Sequence, residues 1–445
     1  MKRVATAGAS LAGERGVAVN EAGFAILMLL VLSWAVFSHL LAAVNITGPL
    51  VLLVAGYLLG NPSWGPLTVD VDAPSVHLLA EVTLALLLFA DASRVNVAQL
   101  RQDVAFPARL LGLGLPMSII LGALAAALLF DDMSWALAGF VGATLAPTDA
   151  ALSAQVVTDE RIPLRLRRAL NVESGLNDGI ATPIVVFTLA VVATDLGLEG
   201  HGHDGVAGAL VELALGVVVG LAVGLVSAVV IGFASRRRWV ATGGRRLATL
   251  AAALTSFSLS GALDGNGFIA AFVAGIAFGA AVPKELDVEE LGELPELMGE
   301  LLALAVWFLF GAALLPVAFD HFSVSTLAYA LLSLTVTRMV PVALSLTGTG
   351  MDRPTVLFVG WFGPRGLASV VFALLAVEEL GEASSMGEAI AVVALTVLMS
   401  VVLHGVSAGP FGSRYVRAEA HQPESEEAEA PRARRVGHRH HADPA

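Results

Sequence analysis

Residues 167–194 read RRALNVESGLNDGIATPIVVFTLAVVAT, an apolar run long enough to cross a bilayer that nonetheless sets Glu173, Asn177 and Asp178 at the depth of hydrocarbon. A charged carboxylate there costs at least roughly 2.5–3.5 kcal/mol on insertion scales, so it persists only where it is paired, hydrated or used. Within this run Glu173 and Asn177 are four residues apart, as are Ser174 and Asp178. On a helix that spacing stacks two polar rows along adjacent stripes of one face.

The rest of the chain has the same character. Its 445 residues are 56% hydrophobic and only 14% charged, with a mean hydropathy of +0.80. Soluble domains carry about 25% charged residues and no series of long apolar runs, so this composition specifies a polytopic α-helical membrane protein. No cysteine is present, which excludes disulfides and thiolate metal sites. The net charge of −13 and the confinement of Lys and Arg to short loops and the tail leave no basic face for a nucleic acid.

Apolar runs bounded by Gly, Pro and charge predict about thirteen spans, near 22–44, 46–60, 75–92, 104–130, 134–156, 167–194, 206–234, 246–262, 266–282, 296–317, 323–346, 354–379 and 386–408. The first is too long and too far from the start for a cleaved signal peptide. An odd count puts the termini on opposite sides. With the N-terminus outside, the cytoplasmic segments are Ser93 to Asp103, Thr158 to Arg168, Ser235 to Arg246, Val282 to Pro295, Gly348 to Arg353 and the chain after Gly409. They carry every loop Lys and Arg beyond Arg15, in accord with the positive-inside rule, while Lys2, Arg3 and Arg15 run against it. Residues 1–21 thus form an N-terminal segment, 22–408 the transmembrane domain and 409–445 a cytoplasmic tail. The tail, rich in Arg, Glu, His and Pro, is expected to be disordered. His438, His440 and His441 in it, and His201 and His203 in an external loop, read as solvated residues rather than a metal site.

Removing charges of the loops and span ends leaves a small set of ionisable groups to consider inside the spans: Glu81, Asp91, Arg109, Asp149, Glu173, Asp178, Glu212, Asp264, Arg338 and Arg365. Glu81, Asp91, Arg109, Glu212 and Asp264 stand alone or near span ends, where snorkelling or a mouth position accounts for them. The others stand beside helix breakers or polar residues. Pro147-Thr148-Asp149 interrupts the fifth span, Gly363-Pro364-Arg365-Gly366 the twelfth, and Arg338 is followed by Pro341 in the eleventh. A broken helix frees backbone groups that lipid cannot satisfy, so such a break faces a water-filled cavity or an ion. Asp178, Ser174, Asp149 and the carbonyl or hydroxyl of Thr148 offer oxygen ligands of the kind hard cations prefer. Three acids, Asp149, Glu173 and Asp178, face two cations, Arg338 and Arg365, an excess of one negative charge (2 − 3 = −1) suited to one proton or one monovalent cation. A network that only locks helices together is the alternative, but packing rarely needs two broken helices and five charges at membrane depth. A broken span beside a charged span in each half also suggests inverted repeats with the site between them.

Ala146-Pro-Thr-Asp149, Glu173-Ser-Gly-Leu-Asn-Asp-Gly179 and Gly363-Pro-Arg-Gly366, in this order, resemble the monovalent cation:proton antiporter-1 family, which comprises the bacterial NhaP-type antiporters and the animal sodium/proton exchangers. The resemblance spans roughly residues 22–408 and departs from the usual pattern at Ala150, Gly175 and Pro364. It implies an all-α antiporter fold of about thirteen helices, with inverted repeats and two broken crossing helices. It implies that Asp178 takes either cation or proton, with Thr148, Asp149 and Ser174 completing the coordination of the transported cation. Glu173 would pair with Arg338. Asn177 fills a position that is a second Asp in electrogenic relatives, which implies electroneutral exchange. Arg365 would stabilise the crossing.

The resemblance further implies a homodimer, and a secondary transporter rather than an enzyme, with no cofactor beyond the transported ions. Sodium is the expected cation, with lithium and potassium open, in pH and sodium homeostasis at a bacterial plasma membrane. An intramembrane aspartyl protease using Asp149 and Asp178 needs no buried Arg, and Leu176-Asn177-Asp178 lacks a Gly before the Asp. A cation channel or sensor is separated from exchange by saturable, pH-coupled flux.

Overall fold

The apolar runs become helices whose ends lie where the sequence supplies Pro and small polar caps. Pro stands in the first turn of the second and third helices, and the side chains of Ser134, Asn266, Asp287, Ser323 and Asp352 accept backbone N–H groups at five other starts. The computed structural model describes residues 21–43, 45–67, 69, 73–95, 105–149, 151–153, 159, 161–197, 205–381 and 384–420, and all regular structure among them is helical. In chain order the helices are α1 (Glu21–Ala43), α2 (Gly48–Gly60), α3 (Pro74–Ser93), α4 (Ala105–Leu129), α5 (Trp135–Thr144), α6 (Leu164–Asp195), α7 (Gly205–Arg236), α8 (Thr242–Ala262), α9 (Gly267–Ala281), α10 (Val288–Asp320), α11 (Val324–Ser345), α12 (Arg353–Trp361), α13 (Leu367–Leu380) and α14 (Ser384–Ala420).

Eight of these, α1, α3, α4, α6, α7, α10, α11 and α14, are long and apolar enough to cross a membrane; α2, α5 and α9 are shorter apolar helices. Both α4 and α10 widen into a single π turn, at Leu110–Gly114 and Phe310–Leu314, immediately before Leu115-Pro116 and Leu315-Pro316. A proline's missing N–H and its clash with the preceding turn favour such a bulge.

The helices pack in two groups, one of α2, α3 and α7–α10 and one of α4–α6 and α11–α14, which meet where α6 touches α3, α7 and α9, where α13 touches α3 and α10, and where the end of α10 touches α14. Within the first group Gly216, Gly220 and Gly224 of α7 lie against the backbone of α9, with no room for a Cβ beside the carbonyls of Asn266, Ala270 and Ala274. In a medium where hydrophobic burial gives no drive between helices, this small-residue stripe permits the close approach that holds them. The outer faces remain apolar: Phe24, Leu32, Val36 and Leu40 on α1 and Val218, Val226 and Val230 on α7 are exposed.

Two boundaries differ from the sequence expectation. The tail expected to be disordered from residue 409 begins as helix, because α14 continues to Ala420. Its aromatic residues explain the extension: Phe411 packs edge-on to Trp361 at 5.6 Å, Tyr415 packs on Phe358 at 4.4 Å, and the Tyr415 hydroxyl lies 3.1 Å from Thr355 Oγ1. The expected loop Val282 to Pro295 is helical from Val288, with Asp287 as its cap and Glu289 and Glu290 in the first turn, where acids suit the helix dipole. The N-terminal segment through residue 20, His201, His203 and the tail from 421, with His438, His440 and His441, lie outside the described residues.

Candidate functional site

The two breaks predicted in the sequence meet. α5 ends at Thr144 with Leu145 as its cap, and Ala146 to Asp149 run on without α-helical hydrogen bonds; α12 ends at Trp361, and Phe362 to Gly366 lead to α13. Where the segments cross, the Asp149 amide donates to Pro364 O at 2.8 Å and Leu367 N donates to Asp149 Oδ2 at 3.1 Å. Ser369 Oγ donates to Thr144 O at 2.7 Å. Gly363 and Gly366 are required by this closeness. A Cβ on Gly363 would fall against the Arg338 guanidinium and 2.9 Å from Thr148 Cγ2, and one on Gly366 would overlap the Asp149 carboxylate.

Asp149 therefore caps the half-helix α13. One carboxylate oxygen takes the first amide of α13 and the other takes Ala151 N at 2.8 Å, so the acid sits at the positive end of a helix dipole. A carboxylate has about four lone-pair sites, and the remaining ones leave Asp149 able to bind a cation as well.

Arg365 is fully buried. The charge count set it against the acids as a group; in the fold its guanidinium donates to three backbone carbonyls, those of Ala146, of Pro147 at 3.2 Å and of Ser333 at 3.2 Å. The reason is the break itself, which leaves carbonyls at the end of α5 with partial negative charge and no amide to bond. A planar guanidinium with several donors suits that task. Arg365 thus links the end of α5 and α11 to the second break.

The two polar rows of α6 divide. Glu173 and Asn177 are 2% and 1% exposed, whereas Ser174 and Asp178 are half-buried. Glu173 and Arg338 form a bidentate pair at 2.5 and 3.0 Å with both side chains 3% exposed. Asn177 Nδ2 donates to Thr148 Oγ1 at 2.7 Å and to Thr148 O at 3.2 Å, so it ties α6 to the first break. Among the described residues its Oδ1 is buried without a partner. Ser174 Oγ lies 3.2 Å from Thr148 Oγ1. Asp178 completes the second row. Among the described residues no donor and no cation pairs with its carboxylate, and the charges that bear on it are those of Asp149 and Asp91.

Asp91 is the residue the sequence reading set aside. It stands near the end of α3 and faces α6 where a Cβ on Gly175 would be 3.5 Å from the Asp91 Cβ, so it looks from the first helix group onto the stripe that carries Asp178. Its place near a span end masked it, since a mouth position accounts for a charge there. In the fold the neighbouring Arg94 makes a bidentate bond to Glu296 of α10. Arg109, also set aside, ties α4 to the end of α11 by donating to Thr347 O at 2.7 Å. Ser333, Ser369, Ser400 and His404 were missed altogether, because Ser and a lone His carry no signal on an apolar helix.

The geometry gathers Asp178, Ser174, Thr148 and Asp149 around the crossing of two broken helices, with Glu173, Arg338, Asn177 and Arg365 behind them. It offers oxygen ligands and one uncompensated carboxylate. Residues 26–414 match the family model described as sodium/hydrogen exchanger, transmembrane. Relatives include a protein named K(+)/H(+) antiporter NhaP from Alkalimonas amylolytica, 24% identical over 328 residues, 73% of this chain and 55% of that protein. Another is named Na(+)/H(+) antiporter, from Schizosaccharomyces pombe, 24% identical over 307 residues, 63% of this chain and 65% of that protein. The chain spans little more than half the length of the first of these. Among solved structures, the sodium proton antiporter MjNhaP1 from Methanocaldococcus jannaschii at pH 8 superposes with a TM-score of 0.67 at 18% identity, covering 88% of this chain and 98% of that one.

Proposed function

This chain belongs to the sodium/hydrogen exchanger family, and on that footing we propose that it is a secondary transporter that exchanges a monovalent cation, sodium in our reading, for a proton. The observation that carries the proposal is Asp178: a carboxylate with no partner among the described residues, set beside a crossing whose other charges are already committed. Glu173 is paired with Arg338, Arg365 is hydrogen-bonded by carbonyls, and Asp149 is bonded by amides. On α6 that leaves the Asp178 carboxylate, with Asp91 facing its stripe from α3, and it can be satisfied by a proton or by a cation but not by both.

If the core reorients only with Asp178 neutralised, each crossing carries either a proton one way or a cation the other, and exchange is obligatory, electroneutral and one-for-one. Ser174, Thr148 and Asp149 supply the cation's other oxygens. Asn177 contributes no charge, which is why no second proton enters the count. The division of the helices into two groups with Asp178 and Asp91 on either side of their boundary supports a motion of one group against the other, in a homodimer. The protein would sit in a bacterial plasma membrane with its N-terminus outside and its C-terminus in the cytoplasm, serving pH and sodium homeostasis.

The test is a proteoliposome pH-gradient assay with sodium, lithium and potassium, with and without an imposed membrane potential. The proposal expects saturable, cation-dependent collapse of the gradient, strongest with sodium and unaffected by the potential. Collapse driven by potassium alone would replace sodium with potassium as the substrate. A potential-dependent rate would refute electroneutrality, and non-saturating flux without proton coupling would make the protein a channel.

A further inference from the structure

α14 passes behind the break between α12 and α13 and presents two buried polar side chains one turn apart, Ser400 and His404, at 0% and 1% exposure. Each reaches a different lip of the break. Ser400 Oγ accepts the Arg365 amide N–H at 2.7 Å, on the α13 side. His404 Nε2 lies 2.8 Å from the carbonyl oxygen of Trp361, the last residue of α12. A carbonyl oxygen only accepts, so this bond requires a hydrogen on Nε2. The other ring nitrogen, which in the neutral ring then carries no hydrogen, lies 3.4 Å from Ser400 Oγ and can accept from that hydroxyl, which links the two side chains. Trp361 is clamped as well: its indole stacks on the imidazole at 5.1 Å and 24°, and its Nε1 donates to Ser407 Oγ at 2.9 Å.

We infer that Ser400 and His404 are positioning residues for the ion site, a staple from α14 that holds the two ends of the α12–α13 break at a fixed spacing. The reasoning is one of accounting for freed backbone groups. A break at membrane depth exposes groups that hydrocarbon cannot bond, and one turn of α14 supplies partners on both sides of this one. The spacing they set is passed to the site without further side chains. Pro364 O and Leu367 N, which lie within the same segment, hold the amide and the carboxylate of Asp149. Loosening the staple frees Asp149 to shift relative to Asp178. The staple acts through hydrogen bonds alone, so His404 need not change its protonation during exchange. A glutamine, whose amide Nε2 reaches about as far and donates, should serve in its place.

The transport arm of the test rests on the exchange reading above; the exchange-labelling arm does not. In the full chain in nanodiscs, hydrogen exchange of the segment from Trp361 to Leu367 is followed by mass spectrometry for wild type, S400A, H404A and H404Q. The staple predicts exchange about tenfold faster or more in S400A and H404A, and within about threefold of wild type in H404Q. In proteoliposomes it predicts a rise of about tenfold in the apparent cation KM for H404A, with restoration to within about threefold by H404Q and an unchanged pH profile in H404Q. If H404A does not fold, S400A and H404Q carry the comparison. Equal labelling in S400A, H404Q and wild type overturns the inference, as does an H404Q variant as defective as H404A. A shifted pH profile in H404Q also overturns it, by making His404 a titrating group. If wild type moves no protons on cation addition, the exchange proposal falls and the labelling arm still decides the staple.

Discussion

Removing the Glu173 charge with Glu173→Gln leaves Arg338 buried at 3% exposure with one hydrogen-bond acceptor and no counter-ion. Arg338 has no escape: it cannot shed its proton in a protein, and its Nε is already buried without a partner among the described residues. Breaking a buried pair from one side costs about 3–5 kcal/mol. With an unfolding entropy of about 2.1 cal/mol/K per residue over the roughly 370 described residues, that corresponds to a fall in Tm of about 4–6 °C. The opposite change, Arg338→Met, should cost less, since an orphaned carboxylic acid can take up a proton and become neutral. The double variant replaces the pair by two uncharged side chains of similar length and should lie closer to wild type than Glu173→Gln does. The assay is a thermal melt of purified protein followed by intrinsic fluorescence, as a double-mutant cycle. A coupling of at least about 2 kcal/mol is expected. If the double variant is destabilised by the sum of the two single effects, the pair does not hold α6 to α11 and the division of roles within the acidic stretch fails.

Gly366→Ala places a methyl group on the Asp149 carboxylate and should abolish cation-driven proton movement even where a melt shows folded protein, measured in proteoliposomes. Asn177→Asp replaces the donor to Thr148 O and Oγ1 by an acceptor. That carboxyl can bond Thr148 O only when it holds a proton, so exchange relative to wild type should be lowest at alkaline pH and recover as pH falls, which a rate profile over pH would show. Truncation after residue 420 should leave the melt unchanged. Truncation after residue 408 removes Phe411 and Tyr415 from their contacts and should cost about 3–5 kcal/mol, taking one buried aromatic as the unit.

The parts of this molecule legible in its sequence are those where local chemistry contradicts its surroundings. Charge in hydrocarbon marked Glu173, Asp178, Arg338 and Arg365, and Pro-Thr-Asp and Gly-Pro-Arg-Gly marked the two breaks, because few side chains other than functional ones sit there. What stayed hidden depended on which of several neighbours a side chain chooses. Arg365 bonds carbonyls rather than an acid because the crossing brings three bare carbonyls within its reach, a fact of tertiary geometry. Asp91 lies near a span end, where a mouth position accounts for a charge, yet the fold turns it toward α6, and Glu296 of a distant helix takes the neighbouring Arg94. Ser400 and His404 follow no charge anomaly and become visible only once the break they span is in place. The helical start of the tail was hidden by its charged composition, which outweighed Phe411 and Tyr415 in the reading.

The most direct test of the central claim is cation-driven proton movement in proteoliposomes containing Asp178→Asn, with sodium, lithium and potassium scanned over pH and a melt to confirm that the variant is folded. One carboxylate shared in turn by cation and proton predicts no coupled movement of protons with any cation at any pH. Saturable cation-dependent collapse of the pH gradient by a folded Asp178→Asn protein would contradict it.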